Sequence, residues 1–97
     1  MRLKPGCEDE YRRRHDAIWP DLKRELRAAG ISDYSIYLDR GTNTLFAFQR
    51  VAADNTVADL STLPIMRKWW DSMADLMEVR PDRSPICLAL EEVFHMD

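Results

Sequence analysis

Three side chains suited to proton exchange or to binding a flat apolar surface recur every four residues near the start of the chain. Tyr11 and His15 are four residues apart, and Trp19 is the next position on the same line. Residues at this spacing share one face of a helix. An imidazole with an ordinary pKa of about 6.5 gives and takes protons near neutrality. The stripe therefore indicates acid–base chemistry, although spacing alone favours a surface or capping histidine beside two core aromatic residues.

A second aromatic group comprises the adjacent pair Trp69 and Trp70, together with Tyr34 at the start of a predicted strand. Adjacent helix residues project about 100° apart, so one indole can fill the core while the other lines a cavity. Indole rings suit the apolar C–H faces of a sugar, and the indole N–H can donate to a hydroxyl. On residue type alone, packing roles for both indoles and for Tyr34 remain the simpler interpretation.

Other kinds of site find little support in the sequence. It contains no glycine-rich dinucleotide or phosphate-binding motif. His15 and His95 lie at opposite ends of the chain without metal-ligand spacing, so no metal centre is predicted. Cys7 and Cys87 are isolated, which predicts neither a disulfide framework nor a zinc site and fits a reducing compartment. A Cys–His pair formed in three dimensions stays open, but acid–base catalysis by His, Tyr or a carboxylate is the chemistry that the sequence offers.

The charge distribution argues against nucleic-acid binding. The 97 residues carry a formal net charge of −3, whereas nucleic-acid binders usually show a basic excess. The only dense basic run, Arg12–Arg14, is flanked by acidic residues and is predicted to be mostly solvated helix surface, in preference to a phosphate site. The chain shows neither a membrane-length apolar run nor the apolar stretch of a signal peptide. We therefore expect a cytoplasmic protein without a membrane partner.

Local patterns predict the elements that would position these side chains. Pro20 should break the first helical stretch near Asp16–Trp19, because proline disfavours helix at the residue before it. The predicted segments are the end of a strand at Met1–Lys4, helix from Cys7 to Ala29 with that break, strands at Tyr34–Asp39 and Thr44–Val51, helical pieces at Val57–Leu63 and from Pro64, and a strand from Ile86 to Phe94.

This order, β-α-β-β-α-β, is the ferredoxin-like pattern of an α+β fold in which both helices cover one sheet face. The strand Thr44–Val51 is apolar on both of its faces. An apolar outer sheet face needs a cover, which predicts a homodimer joined sheet to sheet. A length of 97 residues predicts one domain over positions 1–97.

The chain resembles the L-rhamnose mutarotase family in several segments that follow one another in the same order. The most specific is the run Tyr-x-x-x-His-x-x-Ile-Trp-Pro that begins at Tyr11, followed later by the pair Trp69–Trp70. The matching segments are Tyr11–Leu22, Asp33–Asp39, Asn43–Phe46, Lys68–Met73, Arg80–Pro85 and Glu92–Met96.

The resemblance implies anomer exchange of L-rhamnose by a dimeric α+β barrel without metal or coenzyme. It assigns the proton donor to His15. It also implies that Tyr11, Tyr34, Trp69 and Trp70 contact the sugar. These are the positions that residue type and spacing single out independently.

Two features depart from the family pattern. Family members usually carry roughly half a dozen more residues before the position of Met1, so either the start of this sequence is misplaced or the first strand is shortened. Arg83 stands where the family pattern leads us to expect Asn, which would change a contact at the rim of the site.

Two other functions fit the same fold, because fold alone does not fix function. One is a cofactor-free monooxygenase or haem-degrading relative, whose pocket would be largely apolar. The other is a non-catalytic dimeric sensor that binds a small ligand. Convergence of Tyr11, His15 and Tyr34 on one cavity would instead suit a polyhydroxylated sugar.

Overall fold

The first helical stretch forms two helices, as predicted, in the computed structural model, which describes residues 1–97. Helix α1 spans Glu8–Asp16, with three acidic residues in its first turn and three basic residues in its last turn, the arrangement that the helix dipole favours. Trp19 is extended, with φ −61° and ψ 128°, because it precedes Pro20. Helix α2 then spans Pro20–Ala28 with its proline in the first turn. The break at Pro20 lets the two helices take different directions.

An antiparallel hairpin follows α2. Strand β1 spans Ile31–Asp39 and pairs with strand β2, Thr44–Val51, through the turn predicted between them. The register shifts between Ser32 and Ser35, where β1 carries an irregularity. Asp33 within it adopts φ +47°, a left-handed conformation. Asp tolerates this region better than most residues do.

The second helical region also agrees with the sequence prediction. A 3₁₀-helix spans Val57–Thr62, and the backbone N–H of its first residue, Val57, donates to Oδ1 of Asn55. Helix α3 begins at Pro64 and spans Pro64–Met73. Proline is well tolerated there because a helix leaves its first N–H groups without partners. The apolar pattern continues beyond the helix, where Leu76 and Met77 are buried.

A single core joins these elements. Leu3 and Leu22 are the most completely enclosed side chains, each about 1% exposed. Residues at the N-terminus pair with neighbouring segments through isolated bridges, Arg2 with Thr44 and Leu3 with Met77, rather than as a strand. The buried cluster comprises Leu3, Tyr11, Leu22, Ala29, Ile31, Leu45, Leu60, Met66, Trp69, Met73, Leu76 and Met77.

The chain is thus a small α+β protein with a two-stranded antiparallel sheet. The strand predicted over Ile86–Phe94 does not form in the single chain, where residues 86–97 have no helix or strand. A strand requires a paired backbone, and here the pairing ends at the start of the segment, with the bridge between Val79 and Pro85 and the N–H of Ile86, which donates to the carbonyl of Glu78 at 3.5 Å. Its apolar side chains, among them Leu88 and Phe94, are largely exposed. None of the helices combines the length and apolar character that crossing a bilayer requires.

Candidate active site

Aromatic rings from α1 and from α3 flank His15 on two sides. The imidazole stacks on the ring of Tyr11, with centroids 4.1 Å apart and planes 28° apart. Its other neighbour is Trp69 of α3, which meets it edge-on with centroids 5.3 Å apart. Trp19 does not continue the stripe on α1, since the helix has ended, but it packs edge-on against Trp69 at 5.2 Å. Tyr11 and Trp69 therefore contact the imidazole directly, and Trp19 packs behind Trp69.

One hydrogen bond determines which nitrogen of His15 is free to react. Nδ1 lies 3.0 Å from the backbone carbonyl oxygen of Tyr11. A carbonyl can only accept, so Nδ1 carries a hydrogen and donates it. Nε2 is therefore the nitrogen that is available for proton exchange, as an acceptor in the neutral ring and as a donor in the imidazolium.

Burial lowers the pKa of His15 below its ordinary value of 6.5. Removal of the imidazolium from water is the main cause, because a low-dielectric environment disfavours the charged form. The carbonyl of Tyr11 and the neighbouring carboxylate of Asp16 act in the opposite direction but are the smaller effects. His15 is consequently neutral in most molecules at pH 7.

A cavity of about 770 Å³ opens beside these rings. This volume lies within the range typical of small-molecule sites, roughly 300–1,000 Å³. Tyr11, His15, Tyr34 and Trp69 all contribute to its lining, so four of the five residues singled out from the sequence meet at one cavity. Charged side chains also line it, namely Glu8, Arg12, Asp16, Lys23, Arg27, Asp33 and Arg40.

Tyr11 and Tyr34 differ in exposure, but the pKa of the phenol is raised in both. Tyr11 is buried, at 7% exposure, and Tyr34 is partly open, at 44%. Burial raises the pKa of Tyr11 well above its ordinary value, and the nearby Tyr34 and Cys87 raise it further. Burial and Cys87 also raise the pKa of Tyr34. Both phenols therefore keep their protons near neutrality, so they can donate and accept hydrogen bonds.

Trp70 is the one predicted site residue that does not line the cavity. Its half-buried indole lies beneath the guanidinium of Arg67, 5.7 Å from the ring centroid. The two indoles separate as neighbouring helix positions should, because they point in directions about 100° apart. The sequence could not reveal which indole would face the cavity.

The run Arg12–Arg14 is mostly solvated helix surface, as predicted, but Arg14 is partly buried. Its side chain is only 27% exposed and contacts both Glu10 of α1 and Asp75 beyond the end of α3. The spacing of Glu10 and Arg14, four residues apart on a helix, could have suggested the first pair. Nothing local could have suggested Asp75, which is 61 positions away.

No three His, Cys, Asp or Glu side chains come together in a way that could hold a metal ion. Both cysteines are free thiols.

Comparisons with known proteins agree over nearly the whole chain. A family model described as L-rhamnose mutarotase matches residues 1–96. An L-rhamnose mutarotase from Bacteroides thetaiotaomicron is 58% identical over 97 residues, covering 100% of this chain and 93% of that protein. One from Phocaeicola vulgatus is 56% identical with the same coverage. A crystal structure of L-rhamnose mutarotase from Formosa agariphila superposes with a TM-score of 0.92 at 50% identity, covering 100% of this chain and 93% of that one.

Proposed function

We infer that this protein interconverts the α and β anomers of L-rhamnose, because the chain belongs to the L-rhamnose mutarotase family. It is an isomerase acting on a carbohydrate. The family match and every relative reported above are mutarotases, so a monooxygenase function has no support. The observation that carries the catalytic proposal is the imidazole of His15, which lines the cavity with one nitrogen unpaired.

Anomer exchange requires the pyranose ring to open and close again. We propose that Nε2 of the His15 imidazolium protonates the ring oxygen while the bond from that oxygen to the anomeric carbon breaks. A base removes the proton of the anomeric hydroxyl, which becomes the aldehyde. The aldehyde turns about the adjacent C–C bond, and the reverse proton transfers close the ring on its other face. No redox change occurs, and every proton that is transferred is returned.

The environment of His15 suits this role. An imidazolium with a lowered pKa is a stronger acid, so it transfers its proton more readily to a weakly basic ether oxygen. The neutral ring then takes the proton back as the sugar closes. The base is either a carboxylate or a bound water, and the carboxylates that line the cavity are Glu8, Asp16 and Asp33.

The remaining residues bind and orient the sugar in this proposal. Tyr11 and Tyr34 would hydrogen-bond hydroxyl groups, supported by their protonated phenols at the cavity. Trp69 would form an apolar wall against the C–H face. The family resemblance also assigns Trp70 to the sugar. Since the indole of Trp70 lies outside the cavity, its contact would require a side-chain movement or a ligand that extends past the cavity rim.

The most direct test is His15→Asn in a saturation-transfer NMR assay of L-rhamnose anomer exchange. Loss of a general acid should lower the enzyme-catalysed rate about 10²- to 10⁴-fold. His95→Asn is the matched control, because His95 is exposed and contacts only Asp97 near the chain end. His15→Asn with wild-type exchange would remove His15 from the mechanism.

We also propose that one domain over residues 1–97 assembles, in the cytoplasm, as a sheet-to-sheet homodimer with the ferredoxin-like arrangement of a dimeric α+β barrel. Three aromatic side chains on the hairpin support the interface: Tyr37, Phe46 and Phe48 are exposed, and Tyr37 packs edge-on against Phe48 at 5.7 Å. Such an exposed aromatic face is typical of an interface. The free thiols of Cys7 and Cys87 fit a reducing compartment.

Sedimentation equilibrium tests the assembly. Phe48→Glu should weaken dimerisation, because it places a charge at the centre of the apolar face, whereas Lys68→Glu on the exposed side of α3 should not. A wild-type protein that sediments as a monomer at micromolar concentration would contradict the dimer.

A further inference from the structure

Helix α1 carries His15 but has few points of attachment to the rest of the molecule. Tyr11 is its only buried residue. The segment that follows α1 leads directly into the break at Pro20. A nine-residue helix is too short to be stable by itself in water. The direction in which α1 projects His15 must therefore be set by a small number of side-chain contacts.

Arg14, the residue immediately before His15, makes the side-chain hydrogen bonds that join α1 to another segment. Its Nε donates to Oε1 of Glu10 at 2.8 Å, within α1. Its Nη1 donates to Oδ1 of Asp75 at 2.9 Å and to the backbone carbonyl of Ser72. One guanidinium thus joins α1 to the end of α3, and its planar shape favours several directed hydrogen bonds at once.

The end of α3 needs a cation from elsewhere. A helix leaves its last carbonyls without N–H partners, and a positive charge near them is favourable. Helix α3 has no basic residue in its own last turn. Arg14 meets this need from the neighbouring helix, by donating to a carbonyl only three residues beyond Trp69.

The same hydrogen bonds lower the pKa values of the two carboxylates that Arg14 contacts, Glu10 and Asp75. The hydrogen bonds of Arg13 and Arg14 lower the pKa of Glu10 to about 2. Arg14 lowers the pKa of Asp75 in the same way. Both carboxylates are therefore ionised throughout the physiological range, and the cluster persists wherever His15 titrates.

We propose that Arg14 is a positioning residue for His15, which locks α1 onto the end of α3 so that the imidazole meets the edge of Trp69 and faces the cavity. Consecutive helix residues project about 100° apart around the helix axis. When the direction of the Arg14 side chain is fixed, the direction of the His15 side chain is therefore fixed as well. The expected loss of activity rests on the proposed catalytic role of His15. The expected placement of the imidazole by Arg14 does not depend on that role.

Arg14→Gln removes the charge and the contacts with Ser72 and Asp75 while keeping a helix-compatible side chain. We expect anomer exchange to fall about 10- to 100-fold, the loss that misplacement of a reacting group by about 1 Å can cause. Arg14→Lys should lie between Arg14→Gln and wild type, because an ammonium keeps the charge without the fork of donors. The matched control is Arg13→Gln, since Arg13 pairs only with Glu10 on the exposed side of α1.

A spectroscopic signature distinguishes positioning from a general effect on folding. The C–H protons of His15 lie in the ring-current fields of Tyr11 and Trp69. The chain has two histidines, so ¹³C-labelled histidine gives two resolved sets of signals, with exposed His95 as an internal reference. Spectra at pH 8 exclude titration, because the pKa of His15 is lowered from 6.5. Arg14→Gln should move the His15 signals toward those of a solvated ring, and Arg13→Gln should leave them in place.

The proposal is overturned if Arg14→Gln and Arg13→Gln give the same His15 shifts. It is also overturned if Arg14→Gln loses activity only in proportion to unfolded protein, measured by circular dichroism of the same samples. Failure of the catalytic proposal has a different signature: His15→Asn would retain exchange, whereas the ring-current shifts in Arg14→Gln would still change.

Discussion

Arg83 provides a quantitative test of backbone strain in the loop after α3. Its φ is +70°, in the left-handed region that an ordinary L-residue enters at a cost of about 1–2 kcal/mol. Two hydrogen bonds close the turn on both sides of Arg83: its N–H donates to the carbonyl of Arg80 at 2.8 Å, and the N–H of Arg80 donates to the carbonyl of Ser84 at 2.8 Å. A large change in the φ of Arg83 would therefore break one of these two bonds. Asn enters the left-handed region more easily because its short side chain hydrogen-bonds locally. Asn is also the residue that the family resemblance leads us to expect at this position.

The gain from Arg83→Asn follows from two opposing contributions. Relief of part of the strain should stabilise the fold by about 0.5–1 kcal/mol. The lost side chain makes one long ion pair, 4.0 Å to Asp71, with both side chains more than 60% exposed; such a pair is worth about 0–0.5 kcal/mol. The net effect is about 0.5 kcal/mol of stabilisation, which for a domain of this size raises Tm by roughly 2–4 °C.

Thermal unfolding followed by circular dichroism measures the difference in Tm between Arg83→Asn and wild type. All proteins are compared at one concentration, because dimerisation would make Tm depend on concentration. Arg83→Lys is the control: it keeps the charge and the strained backbone, so its Tm should match wild type. An Arg83→Asn protein that melts at or below the temperature of Arg83→Lys would refute the strain argument.

Three further predictions concern the site and its supports. Burial lowers the pKa of His15 below 6.5, so kcat/KM should be highest at pH values below the pKa of His15 and should fall about tenfold per pH unit above it. The uncatalysed rate is subtracted at each pH. A kcat/KM that rises between pH 5 and pH 7 would contradict the role of His15 as proton donor. Trp69→Phe should reduce the rate of anomer exchange by up to about tenfold, because it alters the ring that contacts His15. Trp70→Phe should reduce the rate by less. A larger loss in Trp70→Phe than in Trp69→Phe would show that the sugar lies beyond the cavity. Gly30→Ala should destabilise the fold by at least about 1–2 kcal/mol in urea titration, because Gly30 has φ +101° and an added Cβ would lie 3.0 Å from Cβ of Asn55. Unchanged stability would contradict both the strain and the contact.

Local chemistry explains why most of the elements were predictable. The break at Pro20, the start of α3 at Pro64 and the hairpin between β1 and β2 depend on residues within a few positions of the feature. The stripe of Tyr11 and His15 was predictable for the same reason, since both lie on one helix and four residues apart. Family resemblance was needed to give these positions a chemical role.

Features that depend on distant segments were not predictable. The contact of Arg14 with Asp75 requires α1 and α3 to be placed side by side first. The choice of Trp69 over Trp70 as the cavity residue depends on the rotation of α3 in the core. The irregularity of β1 near Asp33 is similarly invisible in the alternation of apolar and polar residues.

The C-terminal segment connects the fold, the assembly and the site. Its alternating apolar pattern predicts a strand at Ile86–Phe94, yet it pairs with no strand in the single chain. An apolar segment of this kind is stable only when another surface covers it. It passes close to the site, since Cys87 is near enough to raise the pKa of both Tyr11 and Tyr34. A second subunit that covers this segment would therefore act close to the two phenols, so the dimer proposed from the apolar sheet face bears on the site as well.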